Sequence, residues 1–435
     1  MLSRPSAETV LDRAWLDRPE SVFASNYRPT GRPFRAWSGW CVSIADDLAG
    51  RAVEVEVMAM TGSPVAALRA ASRSLDRRVA ATPAGRDRTV DLMRAVSIAV
   101  VVIWHWAGSV THRRDGEIVM PNPIDQVPLL WLATWVGQVM PVFFLVGGFA
   151  NLAAWERTGG SPRAFLRLRL ARLLRPTAVF LGVWAVLEVV LLAVVPGYPG
   201  VVSYGRAVAA PLWFLAAYLW VVLLIPVTAV AHRRAAVPTV ALLGTAVVAA
   251  DLARFGAGLE VFGLVNTALV WVFVHQLGYL WRDGMLDSPD RRWTLAAAGV
   301  IGLVVVAALP IYPRSMVATV GGRLSHMYPT TVGIAMLAVF QLGVIVLLRP
   351  ALSSWLHRRR VWKIVVAANT VIMTVFLWHM TALLAALTLF ETVRLPIYPE
   401  PTAAWWAQRP LWLLVPAVLL AALVALFARA ETHHR

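Results

Sequence analysis

The stretch RDRTVDLMRAVSIAVVVIWHW, residues 86–106, decides how this chain is read. From Val90 to Val110 the run is apolar and long enough to cross a bilayer, which takes about 20 residues. It nevertheless carries Asp91, Arg94 and His105. Ionisable groups on such a helix are expensive unless they face a protein interior or a water-filled cavity. Their offsets of 3 and 11 residues, at ~100° per residue, place all three within a ~60° arc of one helix face. That face therefore carries a carboxylate, a guanidinium and an imidazole. Two readings of His105 stand side by side: a functional group in a polar chamber, or a satisfied histidine between packed helices. The ion pair on the same face favours the first.

The rest of the chain extends this membrane character. Of 435 residues 59% are hydrophobic and 15% charged, and the mean hydropathy is +0.65. These values lie outside the range of soluble domains and identify an all-α, polytopic transmembrane bundle. Ten spans are expected, near 90–110, 128–153, 173–195, 211–231, 236–253, 261–281, 293–312, 329–349, 364–390 and 409–429. The formal charge of +16 is almost wholly arginine, Lys363 being the only lysine. It marks topology rather than a nucleic-acid partner. Arg157, Arg163, Arg167, Arg169, Arg172 and Arg175 crowd one loop, and Arg349, Arg358, Arg359, Arg360 and Lys363 another. The alternate loops are nearly free of basic residues, so the positive-inside rule puts the basic loops and both termini in the cytoplasm. An integral protein of the cell membrane is the expectation, with tryptophans such as Trp131, Trp135, Trp405, Trp406 and Trp412 anchoring the outer interface.

Three segments are expected: residues 1–85 as a poorly ordered cytoplasmic tail, 86–430 as the transmembrane domain, and 431–435 as a short C-terminal tail. The N-terminal stretch shows no cleavable signal, and a functional arm and a misassigned start codon both fit its composition. The single cysteine, Cys41, rules out an intramolecular disulfide and any multi-cysteine metal site. The remaining histidines are scattered without metal-ligand spacing, so no metal is expected. No coiled coil indicates an oligomeric state.

At 1.5 Å per residue, Arg94 lies ~6 Å and His105 ~22 Å above the cytoplasmic start of the first span, with Glu188 at ~18 Å in the third and His379 at ~22 Å in the ninth. His105, Glu188 and His379 thus share a level in the outer half of the membrane. This permits a common chamber with a general base and a second acid/base or orienting group, although Glu188 could instead pair with an arginine or face a water pocket. A neutral imidazole there suits activation of an alcohol. RAFLRLRLARLLRP, residues 163–176, interleaves arginine with apolar residues. It fits a snorkelling surface helix, and equally a phosphate clamp in which Arg169, Arg172 and Arg175 form a short spiral. No GxxxxGK[ST] or GxGxxG loop is present, so side chains must hold any phosphorylated donor. In PVFFLVGGFAN, residues 141–151, Gly147 and Gly148 serve close helix packing or a locally opened backbone.

These segments together resemble the acyltransferase-3 family of integral membrane acyltransferases. The family's arginine, ten residues, then histidine is matched by Arg94 and His105; MPVFFLVGGFAN follows at 140–151; its R-x-x-R element is matched by Arg169 with Arg172, and by Arg172 with Arg175. PLWFLAAYL at 211–219 and VVAANTVIMTVFLWHMT at 365–381 are similar to later family segments. Many relatives carry Ser-Gly-Phe where this chain has Gly147-Gly148-Phe149, so a role for that serine does not transfer. The resemblance implies transfer of an acyl group, commonly acetyl from a cytoplasmic acyl-coenzyme A, to a hydroxyl of a carbohydrate, glycolipid or similar envelope or secreted acceptor. Arg169, Arg172 and Arg175 would hold the donor, and His105 would act as general base or be transiently acylated. Arg94, fixed by Asp91, would line the donor route. His379 and Glu188 enter by depth alone. A transporter or flippase for a lipid-linked or acylated glycan is the competing class, without the paired interrupted helices that transport folds show. A lipid-linked glycosyltransferase would want more acidic residues inside the spans than this chain has.

Overall fold

The computed structural model describes residues 64–195, 207–209, 211–319, 322 and 324–432. The chain divides into two units, Met1–Arg73 and Ser74–Arg435. Of the first, only the start of α1 (Pro64–Ala80) is described, and everything below concerns the second. Residues 1–63 of the expected tail, and 433–435 at the other terminus, lie outside the described residues. The part of the expected tail that is described includes the helix α1.

The described residues form a helical bundle. The elements are α2 (Arg88–Ile103), α3 (Leu130–Gly137), α4 (Met140–Arg157), α5 (Pro162–Val194), α6 (Leu212–Ala257), α7 (Val261–Arg282), α8 (Pro289–Ala308), α9 (Val332–Leu356), α10 (Arg359–Thr370), α11 (Ile372–Thr392), α12 (Ala403–Ala407), α13 (Arg409–Phe427) and α14 (Arg429–Thr432). Among the described residues, nine helices are long and apolar enough to cross a membrane. Helix α6 holds two crossings, because Ala235 leaves helical geometry beside His232, Arg233 and Arg234. The chain is therefore an all-α polytopic protein of about ten spans.

Three boundaries differ from the expected ones, each for a local reason. The ninth span starts at Ile372, because Arg359–Thr370 is a separate amphipathic helix closed at Val371. In the second, Gln138 and Val139 break the helix, leaving α3 as a short piece ahead of α4. In the third, the arginine-rich segment is the beginning of α5 itself, which runs unbroken past Pro176.

One end of the bundle is bound by ion pairs between its turns. Arg233 bridges Glu156 and Asp283, Arg282 also meets Glu156, and Arg349 joins Asp87 to Asp287. The N-cap of α2 is made by Asp87, which accepts from the amides of Thr89 and Val90. At the opposite end a hairpin of β1 (His112–Arg114) and β2 (Glu117–Val119) turns through Asp115 and Gly116, both at positive φ. Arg113 ties it to Glu391 on α11 at 2.7 Å.

Within the bundle, small residues let backbones approach, the usual device where lipid removes the hydrophobic driving force between helices. Gly148 of α4 and Gly278 of α7 face each other: a Cβ on Gly148 would stand 2.1 Å from the His275 carbonyl, and one on Gly278 2.1 Å from that of Leu145. Helix α11 is the most enclosed span and α5 the most exposed.

Candidate active site

Helix α2 ends in a π turn, Trp104–Gly108, which widens the backbone where His105 stands. Trp104 folds back over Gly108, where a Cβ would lie 2.7 Å from its ring. Trp106 is buried and donates its Nε1–H to the His379 carbonyl at 3.0 Å. The turn and this anchor bring His105 against α11. Its Nδ1 lies 2.9 Å from His379 Nε2, with the rings stacked at 5.1 Å and 20°.

The hydrogen bonds assign the protons. His379 Nδ1 lies 2.6 Å from the carbonyl oxygen of Phe376, which can only accept, so Nδ1 carries the hydrogen. In neutral His379, Nε2 then holds the lone pair and accepts from His105 Nδ1–H. Neutral His105 is left with its lone pair on Nε2, which has no hydrogen-bond partner among the described residues. The arrangement is a relay of orientation: a backbone carbonyl fixes one imidazole, and that imidazole fixes the next with its Nε2 lone pair left over.

One turn below this pair, Ser97, Ile98, Val101, Val139, Met140, Phe143, Phe214 and Phe376 enclose a small apolar cavity of ≈ 10 Å³.

The other expected groups separate by depth. Asp91 is held chiefly by Arg86, with Nε–Oδ2 at 2.5 Å and Nη2–Oδ1 at 3.0 Å, whereas Arg94 stands 3.8 Å away. The expected pairing of Asp91 with Arg94 is thus its weaker contact. Asn369, next to the α10–α11 break, donates to the Asp91 carbonyl at 2.8 Å. Arg94 is eleven residues from His105, ~16 Å along the helix, and does not reach it.

Of the three arginines of the expected clamp, Arg169 turns inward and Arg172 and Arg175 are exposed, as the drift of ~60° per step requires. Arg169 Nη2 donates to the Ala150 carbonyl at 2.6 Å, and its Nε is buried without a partner. The groups within its electrostatic reach are Tyr218, Arg94, Arg157 and His275, none of them acidic at neutral pH. Glu188 is half-buried on the far part of α5, and the hydrogen bonds of His105 and His379 do not include it.

Sequence reasoning passed over the polar groups around Arg169. Asn151 Nδ2 lies 3.1 Å from both Tyr218 Oη and His275 Nε2, all three inside the bundle. The available signal was polar residues inside apolar runs. Tyr218 also fills the space beside Gly147, where a Cβ would come within 2.8 Å of its ring. Among the described residues no three His, Cys, Asp or Glu side chains are grouped to hold a metal ion.

A family model described as an acyltransferase domain matches residues 87–430. No curated protein and no solved structure matches the chain. The match covers every helix from α2 through α13, including both histidines and Arg169. An enzyme that transfers acyl groups within a membrane bundle is what the fold and the family together show, and the chain belongs to the acyltransferase-3 family.

Proposed function

We propose that the protein is an O-acyltransferase of the cell membrane. It takes an acyl group, acetyl in the first instance, from acyl-coenzyme A and delivers it to a hydroxyl of a carbohydrate, glycolipid or similar envelope or secreted acceptor. The observation that carries this reading is the His105–His379 pair, whose hydrogen bonds leave His105 Nε2 as an oriented base. The acceptor hydroxyl gives its proton to Nε2 while its oxygen forms a bond to the thioester carbonyl carbon. The C–S bond then breaks, and the proton passes from His105 to the departing thiolate, leaving an ester and free coenzyme A.

The arginine-rich end faces the cytoplasm in this reading, following the positive-inside rule. Arg169 supplies charge to the anionic donor, supported by its buried unpartnered Nε and its non-acidic surroundings. Arg94 adds to that field, and Asp91 positions the base of α2. Arg172 and Arg175 stand at the membrane surface, where they attract the donor before it enters.

Purified protein in nanodiscs, given labelled acetyl-coenzyme A, is expected to release free thiol slowly in the absence of acceptor. Release should fall sharply in Arg169→Ala. Wild type that neither binds nor consumes acetyl- or longer acyl-coenzyme A contradicts the donor assignment and leaves flipping of an acylated or lipid-linked glycan as the better account.

A further inference from the structure

A cavity of ≈ 490 Å³ opens at the arginine-rich end, between α1, the start of α2 and the α10–α11 break. Its size falls in the range of small-ligand sites, about 300–1,000 Å³. Trp362 walls one side, and its Nε1–H donates to Thr82 at 2.9 Å, which ties α10 to the end of α1. Arg77, Arg78 and Arg86 supply three cations to the lining against one carboxylate, Asp91. Arg86 is committed to Asp91. The side chains of Arg77 and Arg78 have no hydrogen bond or ion pair among the described residues. Two uncommitted guanidinium groups beside an apolar wall and several hydroxyls suit a ligand with phosphates, a sugar and a flat ring. The family match starts at residue 87, so Arg77 and Arg78 lie outside it.

The position relates this cavity to the histidine pair. Asp91 lines it, while Ile98 and Val101 line the small apolar cavity further up α2. Those three residues fall within an ~80° arc of the helix. His105 follows on the same side, ~21 Å from the level of Asp91. The chain across the α10–α11 break repeats the order, with Asn369 and Thr370 at the end of α10 by the larger cavity, and Phe376 by the smaller cavity and His379 above it on α11. A donor with its charged end in the larger cavity and a long uncharged arm along this stripe would bring its acyl group up to the histidines.

We infer that Arg77 and Arg78 of α1, with the cavity beneath Trp362, form the binding site for the nucleotide end of the donor. The inference rests on the donor being acyl-coenzyme A. It makes α1 a part of the enzyme that confers donor affinity.

The test uses full-length protein in nanodiscs of zwitterionic lipid. Wild type and Arg77→Ala/Arg78→Ala are compared in binding of adenosine 3′,5′-bisphosphate and in steady-state kinetics with acetyl-coenzyme A and with acetyl-pantetheine, which lacks the nucleotide. The expected result is a loss of bisphosphate affinity of roughly tenfold or more, with a matching rise in KM for acetyl-coenzyme A. The kcat and the KM for acetyl-pantetheine should not move, and Arg77→Lys/Arg78→Lys should recover part of the loss. Unchanged bisphosphate binding and unchanged KM in the alanine variant overturn the site while leaving the acyltransferase reading intact. A KM that rises equally for both donors also overturns it, since a nucleotide subsite cannot act on a donor without one. If wild type consumes neither donor, the acyltransferase reading fails, and arginine-dependent bisphosphate binding alone decides the cavity. Arginine-dependent capture of phosphatidylglycerol, in a protein that does not bind the bisphosphate, assigns the cavity to a lipid headgroup and overturns the inference.

Discussion

His379 stands to His105 as an acceptor of its Nδ1–H across 2.9 Å, and the Phe376 carbonyl at 2.6 Å holds His379 in the tautomer that makes this possible. In the proposed mechanism His379 acts through His105, which makes it a positioning residue. Its contribution is a lone pair in a fixed place.

A side chain offering an acceptor in that place should substitute in part. His379→Ala is expected to lower kcat by about 10- to 100-fold with little change in donor KM. His379→Gln, whose amide oxygen can accept the same hydrogen, should retain more activity than the alanine variant. Equal losses in both would show that His379 does more than orient. The comparison is made by steady-state thiol release on protein of matched expression and thermal stability.

The close contact of α4 and α7 leaves no room for a methyl group. Gly148→Ala should destabilise the protein by about 1–3 kcal/mol, because its Cβ would meet a backbone carbonyl that cannot swing away. Gly85→Ala, at a position with open space around it, is the control and should melt as wild type does. Thermal unfolding in detergent followed by tryptophan fluorescence reads the difference.

An acid-sensitive contact lies in the loop between α8 and α9. Burial holds the His326 imidazole down to about 4, against a weaker upward pull from its hydrogen bond to the Pro313 carbonyl. In the unfolded chain a histidine titrates near 6.5. Between these values the unfolded chain binds the extra proton and the folded one does not, so stability is complete above about 6.5 and declines as pH falls toward 4. The loss by pH 4.5 should be about 2–3 kcal/mol. His326→Gln can donate to Pro313 and accept from Thr331, and should remove this part of the pH dependence. Melting temperatures at pH 7.5 and 4.5 measure it.

If the acyl group is delivered beside the cavity beneath the histidines, the wall of that cavity limits its length. Phe143→Ala, which enlarges its wall, should raise kcat/KM for butyryl- relative to acetyl-coenzyme A by about tenfold or more. An unchanged ratio in donor-competition assays would place the acyl group elsewhere.

Much of this organisation was legible in the sequence because the bilayer imposes simple rules. Apolar length marked the spans, and depth counting put His105 and His379 at one level, where the structure has them in contact. Depth alone could not orient Glu188, since rise along an axis carries no information on rotation between helices. Periodicity showed that Arg169, Arg172 and Arg175 diverge, without showing which one faces inward. The span over 364–390 was misjudged because Arg359–Thr370 is apolar enough on one side to extend a hydropathy window yet lies apart from α11 beyond a break at Val371. Helix α1 is too polar to cross a membrane, and hydropathy carries no sign that Arg77 and Arg78 line a cavity with Trp362 of α10.

The central claim is that His105 Nε2 is the base for acyl transfer. His105→Ala and wild type should be reconstituted in nanodiscs, loaded with labelled acetyl-coenzyme A and followed in a single turnover with acceptor-containing membrane extract. Wild type should pass label to an alkali-labile ester, and His105→Ala should bind the donor with similar affinity while transferring at least about 100-fold more slowly. Transfer by His105→Ala at the wild-type rate would contradict the account.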